Sequence, residues 1–459
     1  MKIKYMARVA AVALGVIMLG SCNIYKKFEM PQDSALTEEY VKARQAQPDS
    51  TAFGNLRWEQ VFTDPVLADL INRALVNNTN LQNAKLNVDI AQAQLKGAKL
   101  SFFPSLALAP NGAGVSYAGS KMGYTYQLPA SVSWEVDIFG KLLNTKRGAK
   151  AAVLQSEAYH QAARSQIIAA VANTYYTLAN LEAQLKLSRE TAGLWAESVE
   201  TMKNLKLAGR LNESAVVQSQ ANYYSILASI TDLEVAIDEV NNTLSLLVNT
   251  TPQKWAVSPE ATLVAPTMLR EAIPMRELAA RPDVRAAEQA LATAYYATNQ
   301  ARANFYPGLN ITANGGFTNL LGSTVLNPGD WVAQIAASLT IPIFSRGANI
   351  ARLKATKAQQ EQALNNFEYT LMAASAEVSD AMTVYEKSAE KEAYLARQVE
   401  NLEKSVEYTQ ELLTLGTSTY LEVLTAQQGL LGAQISQLST RLSRSQAVIN
   451  LYQSLGGGR

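Results

Sequence analysis

The sequence predicts a membrane β-barrel joined to long α-helical coiled coil, in two tandem structural repeats with four strands per chain. Three observations predict it. From Tyr124 to Ile138 every even position is apolar or aromatic, and the odd positions (Thr125, Gln127, Pro129, Ser131, Ser133, Glu135, Asp137) are mostly polar. That alternation is the mark of a two-faced strand. Residues 141–208 then pass without proline and with only Gly148 and Gly193, a helix roughly 100 Å long at about 1.5 Å per residue. Finally, the pattern recurs. Phe102-Phe103-Pro104 returns 203 residues later as Phe305-Tyr306-Pro307, and Ile138-Phe139 returns 205 residues later as Ile343-Phe344. Order and spacing hold across the whole half, which marks a duplication.

Composition narrows the function classes. A formal net charge of +1 over 459 residues argues against a general nucleic-acid binder. Beyond the first residues no apolar run approaches the roughly 20 needed for a spanning helix, so entry into a membrane requires a closed barrel. The first residues read as an export signal: Lys2, Lys4 and Arg8 precede an apolar core, Val9 to Leu19. Leu19-Gly20-Ser21-Cys22 fits a lipoprotein cleavage site, making 1–21 a signal peptide and Cys22 the lipidated first residue. Cys22 is the only cysteine, so no disulfide or thiolate metal site is expected, and no cofactor beyond covalent lipid on Cys22.

Residues 22–64 show no sustained periodicity and read as a lipidated, extended N-terminal segment. Repeat 1 covers 65–250: short helices, strands at about 105–138, a long helix at about 141–208 and a return helix at about 213–248. A proline-rich linker, 251–274, follows. Repeat 2 covers 275–455: a helix at about 283–303, strands at about 309–341, a long helix at about 348–415 and a return helix at about 419–453. Leu395, Val399, Leu402, Val406, Thr409 and Leu413 step by four and three, the spacing of a coiled-coil seam. Residues 456–459, with three glycines, read as a frayed tail.

Four strands cannot close a barrel, which needs about eight or more. Open edges in lipid are forbidden, so the sheet must close with further copies of the chain. Its apolar face then meets lipid, with Tyr124, Tyr126, Trp134 and Trp331 as interfacial girdles. Glu135 and Asp137 fall on the polar face, where they either line the barrel near its junction with the tube or, the favoured reading, merely keep that face wet. The single histidine, His160, lies among alanines and glutamines on the long helix, with no catalytic or metal-binding company. No enzyme is expected. Gly209 and Gly416 sit where each long helix ends, suited to a left-handed helix stop.

Asp64-Pro65…Asn78…Leu81, Arg281-Pro282-Asp283-Val284-Arg285-Ala286-Ala287-Glu288, Phe305-Tyr306-Pro307 and Ile343-Phe344-Ser345-Arg346-Gly347 resemble the TolC-like outer-membrane efflux factors. The site at Cys22 resembles their lipoprotein branch. The resemblance covers nearly all of the chain after Cys22 and implies a homotrimer: a 12-stranded barrel continued by an α-helical periplasmic tunnel. It also implies an outer-membrane location and two partners, a periplasmic adaptor protein and an inner-membrane RND-type pump. The turns with Gly209, Arg210 and Leu211 and with Gly416, Thr417 and Ser418 would be the adaptor-contacting tips. Glu400, Glu403, Glu407 and Glu411 share a helix face. By the resemblance Glu403, Glu407 and Glu411 form the aperture, Glu407 aligning best, although the family often carries aspartate there. A protein-secretion duct of the same fold and a lipid-anchored coiled-coil surface protein stand as alternatives.

Overall fold

The computed structural model describes residues 25–45, 53–258 except 117 and 120, 275–318 and 331–458. The signal peptide, Cys22, most of the linker (259–274) and Arg459 lie outside the described residues. In chain order the elements are α1 (Ala35–Gln45), α2 (Trp58–Val61), α3 (Pro65–Asn77), α4 (Thr79–Leu100), β1 (Ser105–Leu108), β2 (Asn111–Val115) and β3 (Gly123–Val136). Then come α5 (Lys141–Leu207), α6 (Glu213–Val248), α7 (Met275–Ala280), α8 (Pro282–Ala303), β4 (Gly308–Thr318), β5 (Trp331–Thr340), α9 (Ala348–Thr414) and α10 (Tyr420–Ser454). The long helices α5 and α9 have 67 residues each. The chain divides into two units, one drawn from residues up to Thr37, Leu86–Glu157 and Ala286–Tyr369, the other from Glu38–Lys85, Ala158–Arg285 and Thr370–Arg459.

The first unit holds one antiparallel sheet. β3 pairs with both β1 and β2 on one side and with β4 on the other, and β5 adds to β4. The five segments therefore make four strands, because β1 and β2 lie end to end in one continuous register: Leu108 faces Ala130 and Asn111 faces Gln127. The break between them has a cause in two prolines. Ala109 donates to the Pro129 carbonyl at 3.1 Å, but Pro129 has no N–H to return, and Pro110 follows at once. Opposite Pro129 on β4 stands Gly316. A Cβ there would strike the Leu128 carbonyl and lie 2.8 Å from Pro129 Cα. A glycine at a bend in a strand is one way a sheet gains the curvature of a barrel wall.

The N-terminal segment differs from the extended reading. Residues 35–45 form α1, started by a reciprocal cap: Thr37 N donates to Ser34 Oγ and Ser34 N to Thr37 Oγ1, both at 3.3 Å. Before it, residues 25–34 lie along the first unit. Phe28 N donates to the Tyr296 hydroxyl at 3.1 Å, Arg147 donates to the Tyr25 carbonyl at 3.1 Å, and Ser34 Oγ to Glu368 at 2.6 Å.

The second unit is helical. α5 and α6 are tied by Arg189–Glu234, an exposed pair that contributes only about 0–1 kcal/mol, and α9 and α10 by Arg441 and Arg444 on the half-buried Glu392. Apolar seams do more. Ala192, Trp195 and Ile226 form a buried cluster that Leu431 of α10 flanks. Two repeat-related residues then clasp the far ends of the return helices. Asn78 Nδ2 donates to the Leu247 carbonyl at 2.9 Å, at the end of α6. Arg281, 203 positions later, donates to the Ser454 carbonyl at 2.6 Å, at the end of α10. Arg281 is 5 % exposed and is neutralised by Asp283 and Glu377, each at 2.7 Å; a buried guanidinium needs such partners. Asp64 caps α3 through the Val66 amide and accepts from the Tyr175 hydroxyl at 2.7 Å. Burial pushes its carboxyl up, but the hydrogen bonds from Tyr175, Ser258, Val66 and Leu67 outweigh that and hold it below the usual range.

The glycines after α10 are not frayed. Gly456, Gly457 and Gly458 are buried. The Tyr452 hydroxyl donates to the Leu56 carbonyl at 2.7 Å and accepts from Gly458 N at 2.9 Å, while Ser165 Oγ donates to the Gly457 carbonyl. Phe53 and Phe62 meet the Tyr452 ring edge-on at 5.5 and 5.8 Å. A Cβ at Gly457 would lie 2.5 Å from that ring. Gly457→Ala is therefore expected to destabilise the helical unit by about 1–3 kcal/mol, read as an earlier thermal or urea transition; a wild-type transition would contradict this packing.

Candidate functional site: wall, aperture and tips

The sheet has two chemically opposite faces. Residues directly opposite one another in an antiparallel ladder point the same way. The register therefore groups Leu106, Leu108, Tyr124, Leu128, Val132 and Trp134 with Leu309, Ile311 and Phe317, and with Ile335 and Leu339. No described strand position on that face is charged or amidic. Much of it is open: Leu106 is 76 % exposed and Ile335 81 %. The opposite face carries Gln127, Ser131, Ser133, Asn310, Thr312, Asn314, Gln334, Ser338 and Thr340. Among its described strand positions Glu135 is the one ionisable residue.

Ten residues separate Tyr124 from Trp134, about 34 Å along a strand. Tilted by about 40°, that is roughly 26 Å in height, close to the ~25 Å apolar band of barrel proteins. Tyr124, 70 % exposed, and Trp134 thus stand one band apart. Trp134 Nε1 donates to the Phe102 carbonyl at 2.9 Å. Tyr126 is in register with Gly112, and Trp331 with Phe317, which faces Leu128. Trp331 thus joins the Leu128 row and not the Trp134 row.

Glu135 and Asp137 do more than wet the polar face. Lys141 Nζ pairs with Glu135 at 2.8 Å, and Leu143 N donates to Asp137 Oδ2 at 2.7 Å. Asp137 thereby satisfies an amide in the first turn of α5 and opposes the positive end of its dipole. Gly140, at φ +71°, makes the corner. Next to it Phe139 stacks on Tyr306 with centroids 5.0 Å apart and planes 14° apart. Proximity in sequence signals the cap; the stack joins the two repeats and has no local signal.

The tips form one apolar knot. Gly209 (φ +69°) and Gly416 (φ +76°) end α5 and α9. In each, paired amide bonds close the helix: Arg210 N to the Leu205 carbonyl and Gly209 N to the Lys206 carbonyl, Thr417 N to the Leu412 carbonyl and Gly416 N to the Leu413 carbonyl. Met202, Val216, Tyr420, Val423 and Leu424 pack together, with Leu211 and Leu413 against them, and the Tyr420 hydroxyl meets Ser219 Oγ at 2.9 Å. Leu211, half-buried, packs one side against this knot. Ser418 is half-buried and bonds Glu422. Arg210 and Thr417 remain exposed, beside Leu207 (84 %) and Leu415 (75 %).

Glu403, Glu407 and Glu411 are exposed on α9. Glu400 pairs with Lys404 at 2.8 Å, and that hydrogen bond and charge lower its pKa. His160 is half-buried on α5. No group of ligating side chains among the described residues could hold a metal ion.

A sheet with an apolar outer face, a polar inner face and open edges, carried with paired long helices, defines a channel subunit of the outer-membrane type. Residues 70–250 and 273–457 match the family described as outer membrane efflux protein. The chain belongs to that family. It is 26 % identical over 450 residues to "Probable outer membrane lipoprotein SilC" of Salmonella typhimurium, covering 96 % of each chain. It is 28 % identical over 415 residues to the cation efflux system protein CusC of Escherichia coli K12, covering 88 % of this chain and 90 % of that one. The solved open state of the Neisseria gonorrhoeae MtrE outer membrane channel superposes with a TM-score of 0.78 at 26 % identity, covering 95 % and 97 % of the two chains.

Leu211→Ala is expected to loosen the tip by about 1–2 kcal/mol, less than a fully buried leucine would cost, whereas Arg210→Ala leaves its stability unchanged. Limited proteolysis at the tips checks both; equal cleavage of the two variants would contradict the assignment.

Proposed function

We propose that the protein is the outer-membrane duct of a tripartite efflux system, through which small molecules leave passively once a pump has loaded them. The observation that carries this is the sheet: apolar throughout on one face, amide and hydroxyl on the other, with edges that only further copies can pair. Three copies give 4 × 3 strands, within the range in which a barrel encloses an aqueous lumen. The family's trimers motivate that number. The barrel continues into an α-helical tunnel in the periplasm. Energy comes from an inner-membrane RND-type pump, linked by a periplasmic adaptor protein.

Cys22 carries the lipid anchor in this proposal. The Leu19–Cys22 pattern supports it, as does the relative named a lipoprotein. Arg210 and Thr417, with Gly209 and Gly416 shaping the turns and Ser418 at their margin, are the adaptor contacts. Leu211 supports them from beneath. Glu403, Glu407 and Glu411 line the aperture, where threefold symmetry brings like carboxylates together and favours cations. An aperture of that kind suits a chain that belongs to the efflux family and is exposed along this stripe.

Purified protein in a planar bilayer is expected to give discrete single-channel currents with cation preference. Glu407→Ala is expected to raise the conductance or abolish that preference. No channel at all would overturn the duct; an unchanged Glu407→Ala channel would remove the gate role and leave the duct standing.

A further inference from the structure

The internal duplication supplies a template for the contact between neighbouring copies. Within one chain the long helix of repeat 1 packs on the short helix of repeat 2: Ala151 of α5 with Ala292 and Tyr296 of α8. At the same junction Phe139 of repeat 1 stacks on Tyr306 of repeat 2. The duplication places Phe344 at the position of Phe139, 205 residues on, and Phe103 at that of Tyr306, 203 residues back. Yet Phe344 is 85 % exposed and Phe103 67 %.

The helices beside these rings show the same imbalance. α4 and α8 are repeat mates of 22 residues each. Half of α8 is buried, whereas Leu81, Ala91 and Ala98 are the buried positions of α4, and Leu86 and Ile90 are 56 and 55 % exposed. Among the long helices, Leu142, Asn144, Ala151 and Val153 are buried early in α5, but in α9 the first buried residue is Phe367. Two faces that are covered when they meet inside the chain are bare where their mates lie at opposite ends of the repeat order. Such exposed apolar surface marks an interface, and its complement is already present on the same molecule. A head-to-tail contact of this kind closes into a ring when the rotation closes.

We infer that the occupant is a second copy of this chain: Phe344 stacks on the partner's Phe103, and the first turns of α9 pack on the partner's α4, reproducing Phe139 on Tyr306 and α5 on α8. The contact rests on the proposed assembly from copies, and it names the residues that join one copy to the next. It gives the assembled ring twice as many equivalent aromatic stacks as it has chains. Half of them lie within chains and half between chains.

Phe103→Cys combined with Phe344→Cys, treated in native outer membranes with a short bismaleimide, is expected to give covalent dimers and trimers on denaturing gels. Neither single variant is expected to do so, which also controls for any reaction at Cys22. The size of the detergent-extracted protein is measured on the same samples. Oligomers that remain uncross-linked would overturn the contact alone, whereas protein that is wholly monomeric would overturn the assembly. If the cysteine pair does not reach the membrane, Phe344→Ala and Phe344→Tyr decide: the alanine variant dissociates at a lower temperature and the tyrosine variant, which keeps the ring, does not. Equal dissociation temperatures for the wild type and Phe344→Ala would overturn the stack.

Discussion

In hydrocarbon every backbone N–H and C=O must find a partner within protein, and that constraint governs the rest of this structure. Among the described residues β5 pairs only with β4, and β1 and β2 only with β3, so a four-stranded sheet ends in two edges that no described strand of the same chain covers. No length of loop or quality of core repairs such an edge. Only another strand does, and the strands available in matching number and length belong to further copies. The oligomer is thus a condition of the membrane state and not an addition to a finished monomer.

The same constraint explains the division of chemistry across the sheet. At the described strand positions the lipid-facing row from Leu106 to Leu339 is free of charge, while the opposite row is built largely from amides and hydroxyls. Among the described strand positions its one carboxylate, Glu135, is held by Lys141 at the corner into α5. Asp137 and Gly140 complete that corner, so the change from strand to helix is made within a few residues. Curvature enters where Pro129 meets Ala109 on one side and Gly316 on the other.

Much of this was legible in the sequence because it is periodic. Alternation from Tyr124 to Ile138, proline-free runs, and the return of Phe-Phe-Pro as Phe-Tyr-Pro fix strands, long helices and duplication without any tertiary information. What escaped was non-periodic or non-local. α1 is short and weakly apolar, and its signal was a cap, Ser34 with Thr37, not a stripe. The buried glycines after α10 depend on Tyr452, Ser165 and Leu56, which composition cannot bring together. Leu211 looked like part of an exposed turn because turns are usually solvated, yet the knot of Met202, Val216 and Tyr420 gave it a core. Asn78 and Arg281 could be seen as positions in a motif, but not as clasps on the ends of α6 and α10.

Amide hydrogen exchange of the two sheet edges tests the central claim most directly. In detergent-extracted protein the amides of Ser105–Leu108 and Trp331–Thr340 are expected to be protected as strongly as those of the central strand Gly123–Val136, because strands of neighbouring copies pair with them. Rapid exchange along either edge, with β3 still protected, would contradict closure between copies.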